Sequence, residues 1–305
     1  MFMISLPTLR QLRYLQALHE HGHFGHAAEA CHVTQSTLSA GLAELEDMLG
    51  AQLVERTKRR VLFTPLGNEV ARRGQQLLLD AESLVEMVRS TVEPLSGPFH
   101  LGVIPTIAPY LLPRLVLPCK EAFPHLQLYL REVQTARLID ELNDGQLDAG
   151  LLALPYPTGN LGMTMLGSDP FYLACRADHP LAEQDSVDVD DLKGAELLLL
   201  EDGHCLREHV LAVCKLRPSR QQDEIRGTSL PTVIQMVAAG LGVTLLPKLA
   251  VDSGAVDGLG LVTRPLKEEG AGRELALAWR GSSPRGEEYR TLAGFIAGIA
   301  TSPRE

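Results

Sequence analysis

The sequence lacks any long hydrophobic run, and no apolar stretch approaches the roughly 20 residues that a membrane-spanning helix needs. Its first residues also lack the basic start of a secretory signal peptide, since charged helix-like sequence soon follows Pro7. The five cysteines are an odd number without the spacing of a disulfide framework. We therefore expect a cytoplasmic protein with no membrane partner.

Positive charge is also scarce, because Lys and Arg total 28 against 38 Asp and Glu, a net charge of −10. This balance excludes a globally basic coat for nucleic-acid binding. Residues 1–90 carry 9 cations and 10 acids, whereas the other 215 residues carry 19 and 28, so most of the acidity lies in the second part. A local exception is a run of four cations, Arg56, Lys58, Arg59 and Arg60. Taken alone, this run indicates only a solvated turn.

A chain of 305 residues is too long for one ordinary core, so we expect at least two domains. Apolar residues at helical spacing predict three short helices within residues 8–49. The first and third carry leucine stripes, and the second has a small-residue face suited to close packing. These stripes are Leu9, Leu12, Leu15 and Leu18; Phe24, Ala27, Ala28 and Cys31; and Leu38, Leu42, Leu45 and Leu49.

The polar turn at residues 33–36, placed before the third helix, makes this pattern typical of a helix-turn-helix. The N-terminal part of the last helix of that motif enters the major groove, where small and amide side chains approach bases and phosphates. A short hairpin predicted over residues 54–64 places the basic run in a wing that meets phosphates. The candidate DNA-binding residues are Thr34, Gln35, Ser36, Thr37, Ser39, Arg56, Lys58, Arg59 and Arg60.

Residues 66–91 predict one long helix whose apolar positions alternate in steps of four and three, as in a coiled-coil seam. About 26 residues span roughly 39 Å at 1.5 Å per residue, which favours pairing with a second copy over packing on the helix's own domain. Pro94 and Gly97-Pro98 predict its end and a hinge. The predicted seam residues are Val70, Gly74, Leu77, Ala81, Leu84 and Val88.

From Phe99 onward, short apolar strands alternate with helical stretches, which predicts an α/β domain with mostly parallel sheets. Ligand sites in such domains lie where strands end and helices begin. The predicted strands are 99–104, 126–130, 149–153, 171–175, 197–200, 243–246 and 275–279. The predicted helices are 107–123, 135–144, 230–239 and 287–300.

The segment after Leu200 is the most informative part of this half. An acidic-Gly-His sequence after a strand predicts a turn into a helix, with Cys205 at the helix N-terminus between His204 and Arg207. The helix dipole and nearby positive charge both favour the thiolate, which is the nucleophilic form. A thiolate can attack a peroxide oxygen, and the first product is a sulfenic acid.

A second thiol, Cys214, follows nine residues later. Within one helix, nine residues separate the two Cα atoms by about 13.5 Å, whereas a disulfide requires about 4.4–6.8 Å. A bond between them would therefore require the segment to be rebuilt, which would couple oxidation to a change of shape. The alternative from the residues alone is a pair of buried, inert cysteines.

Short motifs run through the N-terminal module: the run from Phe24 to Ser39, Leu45-Glu46, Leu49-Gly50, Leu53, Glu55-Arg56 and Thr64-Pro65-x-Gly67. Together they resemble the DNA-binding domain of LysR-type transcriptional regulators. Gly203-His204-Cys205-Leu206-Arg207 with Cys214 is similar to the signature of OxyR, the peroxide-sensing branch of that family. Further similar segments are Ile104–Pro113, Glu132–Thr135 and Ala238–Pro247.

The resemblance implies a multidomain protein, in which an all-α winged helix-turn-helix and a linker helix precede an α/β, periplasmic-binding-protein-like regulatory domain of two subdomains. The expected divisions are residues 1–65 for the DNA-binding domain, 66–96 for the linker helix and hinge, and 97–305 for the regulatory domain. Subdomain I would take about 97–167 and 270–305, and subdomain II about 168–269. We place the crossings near Gly167 and near Lys267–Gly272.

By the same resemblance, Cys205 matches the peroxidatic cysteine and Cys214 the resolving one. The residues implied for the peroxide pocket are Thr106, Thr135, His204, Arg207, Glu208 and, more weakly, Arg280. From the residues alone, either threonine would rather be a helix cap. Ser36 stands where proline is common in the branch, which leaves the base contacts open. Cys31, Cys119 and Cys175 occupy apolar settings typical of structural residues, and histidines 19, 21, 23, 26 and 32 lack ligand spacing.

The implied function is a peroxide-sensing DNA-binding regulator, an activator of antioxidant genes, switched by a reversible Cys205–Cys214 disulfide. Implied partners are promoter DNA, hydrogen peroxide, RNA polymerase, further copies in a dimer or homotetramer, and thiol reductants such as glutaredoxin or thioredoxin. We expect no enzyme activity, cofactor or metal. The alternatives are a LysR-type regulator of a small organic effector and a thiol oxidoreductase, although the latter leaves residues 8–65 without a purpose.

Overall fold

The computed structural model describes residues 6–56, 61–90, 94–215 and 226–301. The chain divides into two compact units, Met1–Arg89 and Ser90–Glu305, each with its own hydrophobic core. Across the described ranges, no helix combines the length and apolar character that crossing a membrane demands.

The first unit is a helical module followed by a hairpin and a long helix. Its core is formed by leucines from the first and third helices, including Leu15, Leu18, Leu38 and Leu42. Thr8 caps the first helix, which ends at Gly22 in the left-handed conformation. The elements are α1 Leu9–His21, α2 Phe24–Ala30, α3 Gln35–Leu49, β1 Val54–Arg56, β2 Val61–Phe63 and α4 Pro65–Ser90.

Hydrogen bonds join the hairpin to the helices on either side. Glu46 accepts the backbone N–H groups of Leu53 and Val54 at 2.7 and 3.0 Å. Thr64 accepts the backbone N–H of Gly67 at 2.9 Å and caps α4. A Cβ at position 67 would lie 2.1 Å from the Leu53 carbonyl oxygen, so this position requires glycine. These contacts explain the Leu45-Glu46 and Thr64-Pro65-x-Gly67 motifs physically.

Helix α4 does not present all of its predicted seam to solvent. Gly74 is buried, and a Cβ there would lie 3.2 Å from the Leu12 side chain, so this position packs on α1. The assignment of Gly74 to the pairing seam is therefore wrong. Leu77 and Leu84, seven residues apart, are 51% and 63% exposed and keep the spacing that a second helix requires. The side chain of Val88 is outside the described residues.

The second unit is an α/β domain. Its strands are β3 Gly97–Val103, β4 Leu126–Glu132, β5 Ala149–Leu154, β6 Gly162–Arg176, β7 Leu199–Leu200, β8 Arg226–Gly227, β9 Thr244–Pro247, β10 Leu261–Pro265 and β11 Gly272–Trp279. Its helices are α5 Ala108–Ala122, α6 Thr135–Asn143, α7 Cys205–Val213, α8 Leu230–Ala238, α9 Lys248–Asp252 and α10 Gly286–Thr301.

Seven strands form one mixed sheet in the order β10-β6-β11-β5-β3-β4, with β9 on β6. Strand β3 is parallel to β4 and β5, whereas the pairs β5–β11, β11–β6, β6–β10 and β6–β9 are antiparallel. The prediction of mostly parallel sheets is thus wrong for this sheet. The reason is β6, which starts nine residues before the strand predicted at Phe171 and pairs with β11 in its first half.

Strands β6 and β11 run side by side along most of their lengths. Gly167 lies within β6 at φ 139°, a backbone region that favours glycine, and the register of the pair shifts between Leu275 and Ala276. Residues 266–271 connect β10 to β11. The two positions where we place crossings between subdomains therefore lie in β6 and just before β11, and the division itself stays a prediction.

Candidate functional site

The two threonines implied for the pocket lie beyond neighbouring strand ends. Val103 of β3 is the register partner of Glu132 of β4 in a parallel pair. Thr106 and Thr135 each follow three residues later, so both lie at the same edge of the sheet. They are 2% and 1% exposed. The carboxyl edge of parallel strands is the usual place for a site in an α/β domain.

An arginine that the sequence analysis missed, Arg273, organises this edge. Its Nη1 donates to Thr106 Oγ1 at 2.7 Å, and its Nη2 donates to the Thr106 carbonyl oxygen at 3.0 Å. Its Nε donates to Asp169 Oδ2 at 2.9 Å, and Asp169 Oδ1 accepts the Leu249 backbone N–H at 2.8 Å. Arg273 and Asp169 are both buried, so the Thr106 hydroxyl is held by a desolvated ion pair.

Helix α7 brings Cys205 to the same region. His204 is its N-cap residue, and its Nε2 lies 3.4 Å from the Gln134 side-chain nitrogen, directly before Thr135. Gly203 precedes the cap at φ 98°, and a Cβ there would lie 3.0 Å from Gln134 Oε1. The starts of α6 and α7 therefore meet. Cys205 is 4% exposed and carries a free thiol.

The other residues implied for the pocket divide into buried and exposed groups. Arg207 is 4% exposed, and its Nε lies 3.1 Å from Asp202 Oδ1. Glu208 is exposed, whereas its neighbours Arg207 and His209 are buried, so it occupies the outer face of α7. Of the residues implied for the pocket, Glu208 is exposed, and the following are buried, as Cys205 is: Thr106, Thr135, His204 and Arg207.

The structure does not bring Arg280 to this site. Arg273 lies opposite Asp169 at the start of β11, whereas Arg280 follows the last residue of that strand, Trp279, which lies opposite Gly162. Seven residues of extended chain span about 23 Å at 3.3 Å per residue. The assignment of Arg280 to the peroxide pocket is therefore wrong for this structure, and Arg273 occupies the place expected of an arginine there.

Cys214 caps the opposite end of α7 and is also a free thiol, 2% exposed. Burial, and secondarily the charge of Glu268, raises the pKa of the Cys214 thiol to about 11. Along the axis of α7, the nine steps from Cys205 to Cys214 correspond to a rise of about 13.5 Å between their Cα atoms.

The remaining cysteines lie outside this site. Cys119 and Cys175 are buried in the core of the second unit, and burial raises the pKa of each thiol. Cys31 is partly buried against the core of the first unit. Within the described ranges, no three His, Cys, Asp or Glu side chains gather in a way that could hold a metal ion.

The start of α3 presents the predicted DNA-binding residues. Gln35, Ser36 and Thr37 are exposed and Ser39 is half-buried, while Leu38 faces the core. Thr34 caps the helix by accepting the Thr37 backbone N–H at 3.2 Å. Arg56 ends β1, and the predicted phosphate contacts Lys58, Arg59 and Arg60 lie outside the described residues.

Comparison with known protein families agrees with this two-unit construction. Residues 9–68 match the bacterial regulatory helix-turn-helix domain of the lysR family, and residues 93–299 match the LysR substrate binding domain. The chain belongs to the LysR family of transcriptional regulators. The predicted fold class is confirmed, and a helix-turn-helix of this family is a DNA-binding domain.

Relatives align along almost the whole chain. The transcriptional regulator EstR of Acinetobacter baylyi is 40% identical over 98% of this chain and 99% of its own length. The dual regulator OxyR of Escherichia coli is 42% identical over 95% of this chain and 94% of its own. The predicted resemblance to the OxyR branch is confirmed by these alignments and by solved OxyR structures.

Two solved structures that cover almost the whole of this chain illustrate the match. A cysteine-to-aspartate variant of OxyR from Pseudomonas aeruginosa has a TM-score of 0.78 and 37% identity, covering 96% of this chain and 95% of that one. A peroxide-bound cysteine-to-serine variant of OxyR from Corynebacterium glutamicum has a TM-score of 0.66 and 34% identity, covering 97% and 93%. At these identities the likeness extends beyond the fold to the family.

Proposed function

We propose that this protein senses hydrogen peroxide through Cys205 and Cys214 and passes the signal to DNA through its helix-turn-helix. The observation that carries the proposal is the placement of two free thiols at the two ends of one helix. Cys205 directly follows His204, which contacts Gln134 just before Thr135. Cys214 is buried at the other end of the helix. Relatives named as hydrogen peroxide-inducible genes activators, 42% identical over 95% of this chain, support the same function.

The chemistry proceeds in two balanced steps. The Cys205 thiolate attacks one peroxide oxygen, the O–O bond breaks, and the leaving hydroxide takes a proton to become water. The sulfenic acid of Cys205 then reacts with the Cys214 thiol, forming the disulfide and releasing a second water. Two electrons pass from the protein to the peroxide. A thiol reductant of the glutaredoxin or thioredoxin class would return them.

Buried hydrogen-bonding side chains at the edge of the sheet would bind the peroxide in the first step. Hydroxyl groups can donate to and accept from peroxide oxygens, and Thr106 and Thr135 provide two of them at one edge of the sheet. Arg273 orients the Thr106 hydroxyl, and His204 and Arg207 flank the thiol in sequence. We assign peroxide binding to the threonines and place His204 and Arg207 as neighbours that assist the thiol.

The second step requires a change of shape. The thiols cannot bond across an intact α7, because the Cα separation of about 13.5 Å is about twice the largest Cα distance that a disulfide accepts. Oxidation therefore unwinds or rebuilds residues 205–214. The rebuilt segment would change how copies of the chain pair. The exposed Leu77 and Leu84 of α4 support the pairing itself. The protein would act in the cytoplasm on promoter DNA as a dimer or tetramer and engage RNA polymerase there.

Peptide mass spectrometry before and after one equivalent of peroxide tests the proposal, together with footprinting of the oxidised chain on promoter DNA. We expect a Cys205–Cys214 disulfide and an altered footprint in the wild type, and neither in Cys205→Ser. Cys119→Ser is the matched control and should behave as wild type. A footprint that responds to peroxide equally in Cys205→Ser would contradict the proposal and favour a regulator of another effector. Rapid catalytic peroxide turnover would favour an oxidoreductase.

A further inference from the structure

A buried histidine in the middle of α7 has no part in the chemistry described above. His209 lies one helical turn after Cys205 and is 4% exposed, as is Cys205 itself. Residues four apart lie on one face of a helix, so the two side chains share a face. Helix α7 packs against β11, the strand that carries Arg273.

His209 makes one specific hydrogen bond. Its Nε2 lies 2.9 Å from the carbonyl oxygen of Pro155. A carbonyl oxygen can only accept, so Nε2 carries the hydrogen and donates it. Pro155 directly follows Leu154, the register partner of Glu274 in the β5–β11 pair. The bond therefore fastens the centre of α7 to a strand end next to Arg273.

The surroundings keep this imidazole neutral. The Nδ1 atom is buried and has no hydrogen-bond partner within the described ranges, so a proton on it would have no acceptor there. Burial lowers the pKa of His209, the hydrogen bond to Pro155 opposes that shift, and the Arg273 charge adds to it. A neutral imidazole with its hydrogen on Nε2 is a donor of fixed direction.

We infer that His209 is a positioning residue that holds α7, and with it Cys205, in the reduced arrangement. The inference rests on the proposed disulfide switch. His209 lies four residues after Cys205 and five before Cys214, so it lies inside the segment that must be rebuilt before the thiols meet. The bond to Pro155 stabilises the dithiol form and is lost in the disulfide form.

The experiment is a redox titration of the full chain against mixtures of reduced and oxidised glutathione. Each disulfide formed reduces one oxidised glutathione to two reduced ones, so the equilibrium constant equals the squared concentration of reduced glutathione divided by that of oxidised glutathione at half-oxidation. His209→Leu removes the donor and leaves the Pro155 carbonyl without its partner. We expect its equilibrium to shift toward the disulfide by about fivefold, the size of one net hydrogen bond. His209→Gln restores an N–H donor and should stay within about twofold of wild type.

Circular dichroism of the reduced variants shows whether α7 and the rest of the chain remain folded. A shift in His209→Leu with rescue in His209→Gln supports the inference. An unchanged equilibrium in His209→Leu overturns it, and equal shifts in both variants overturn the hydrogen bond as the cause. These results differ from failure of the proposed function, in which the wild type itself forms no Cys205–Cys214 disulfide and both ideas fall.

Discussion

The two ends of helix α7 hold chemically similar thiols in contrasting surroundings. At the N-terminal end, Cys205 follows His204, whose ring contacts Gln134, the residue before Thr135 at the edge of the sheet. At the C-terminal end, burial and the Glu268 charge keep Cys214 protonated, with a pKa of about 11. The difference teaches that two thiols of one helix can have different surroundings. In the proposed function, it would let Cys205 meet peroxide first while Cys214 stays protonated.

The largest expected effect follows from removing the buried ion pair between Arg273 and Asp169. Arg273→Leu leaves the Asp169 carboxylate buried without its cation, and we expect the free energy of unfolding to fall by about 3–5 kcal/mol. Chemical denaturation followed by the fluorescence of Trp279 measures this loss. That residue is the single tryptophan of the chain and lies in the same strand as Arg273.

A second substitution separates charge from packing in that test. Asp169→Asn keeps an oxygen that can accept the Leu249 backbone N–H but removes the negative charge. The double variant Arg273→Leu, Asp169→Asn should therefore recover part of the stability that Arg273→Leu loses. If the unfolding free energy of Arg273→Leu lies within about 0.5 kcal/mol of the wild-type value, the buried Arg273–Asp169 pair does not stabilise the Thr106 edge of the sheet.

Much of the Cys205 end could be predicted from the sequence because its parts are local. A strand, a glycine turn and a helix start follow one another around Gly203, and the structure places α7 at Cys205. Thr106 and Thr135 were predicted only through the family resemblance, and the equal offset of three residues from a paired Val103 and Glu132 became visible in the structure. Whether all of these residues act together on peroxide stays a prediction.

Arg273 could not be found in the same way. It meets Thr106 across 167 residues of sequence, and only the order of strands in the sheet brings them together. The predicted strand also began at Leu275, two residues after Arg273, because Gly272 and Arg273 interrupt the apolar pattern. A charged residue at the start of an otherwise apolar strand was the available signal. Arg280 was chosen instead, at the wrong end of that strand.

Alkaline pH tests the surroundings of Cys214. The folded pKa of Cys214, about 11, lies above its ordinary value of 9.0, so the unfolded chain releases the proton first. The stabilising contribution is therefore complete below pH 9 and is lost as pH rises toward 11. We expect the reduced wild type to lose up to about 2.7 kcal/mol of unfolding free energy over this range from Cys214 alone.

The contribution of Cys214 is isolated by difference. Cys214→Ala should lose less stability between pH 9 and 11 than the wild type does. Tyr110, whose pKa burial raises to about 12, adds a loss of the same sign in both proteins and cancels. Denaturant titrations at each pH give the unfolding free energy. An equal loss of that free energy in the two proteins between pH 9 and 11 would contradict the raised Cys214 pKa.

The smallest effect concerns Glu268, whose charge acts on the Cys214 thiol. Glu268 accepts the Val189 backbone N–H at 2.9 Å and raises the pKa of Cys214 through its charge. Glu268→Gln keeps an oxygen that can accept from Val189 but removes the charge, so the Cys214 thiolate becomes more abundant. We expect iodoacetamide to label Cys214 about two- to threefold faster in this variant, as befits a secondary charge effect.

Labelling in a Cys205→Ser background, read by peptide mass spectrometry, assigns the change to Cys214. Labelling of the exposed-face variant Glu208→Gln should not change, whereas an equal increase there would mean that general loosening of α7, and not the charge of Glu268, controls this thiol.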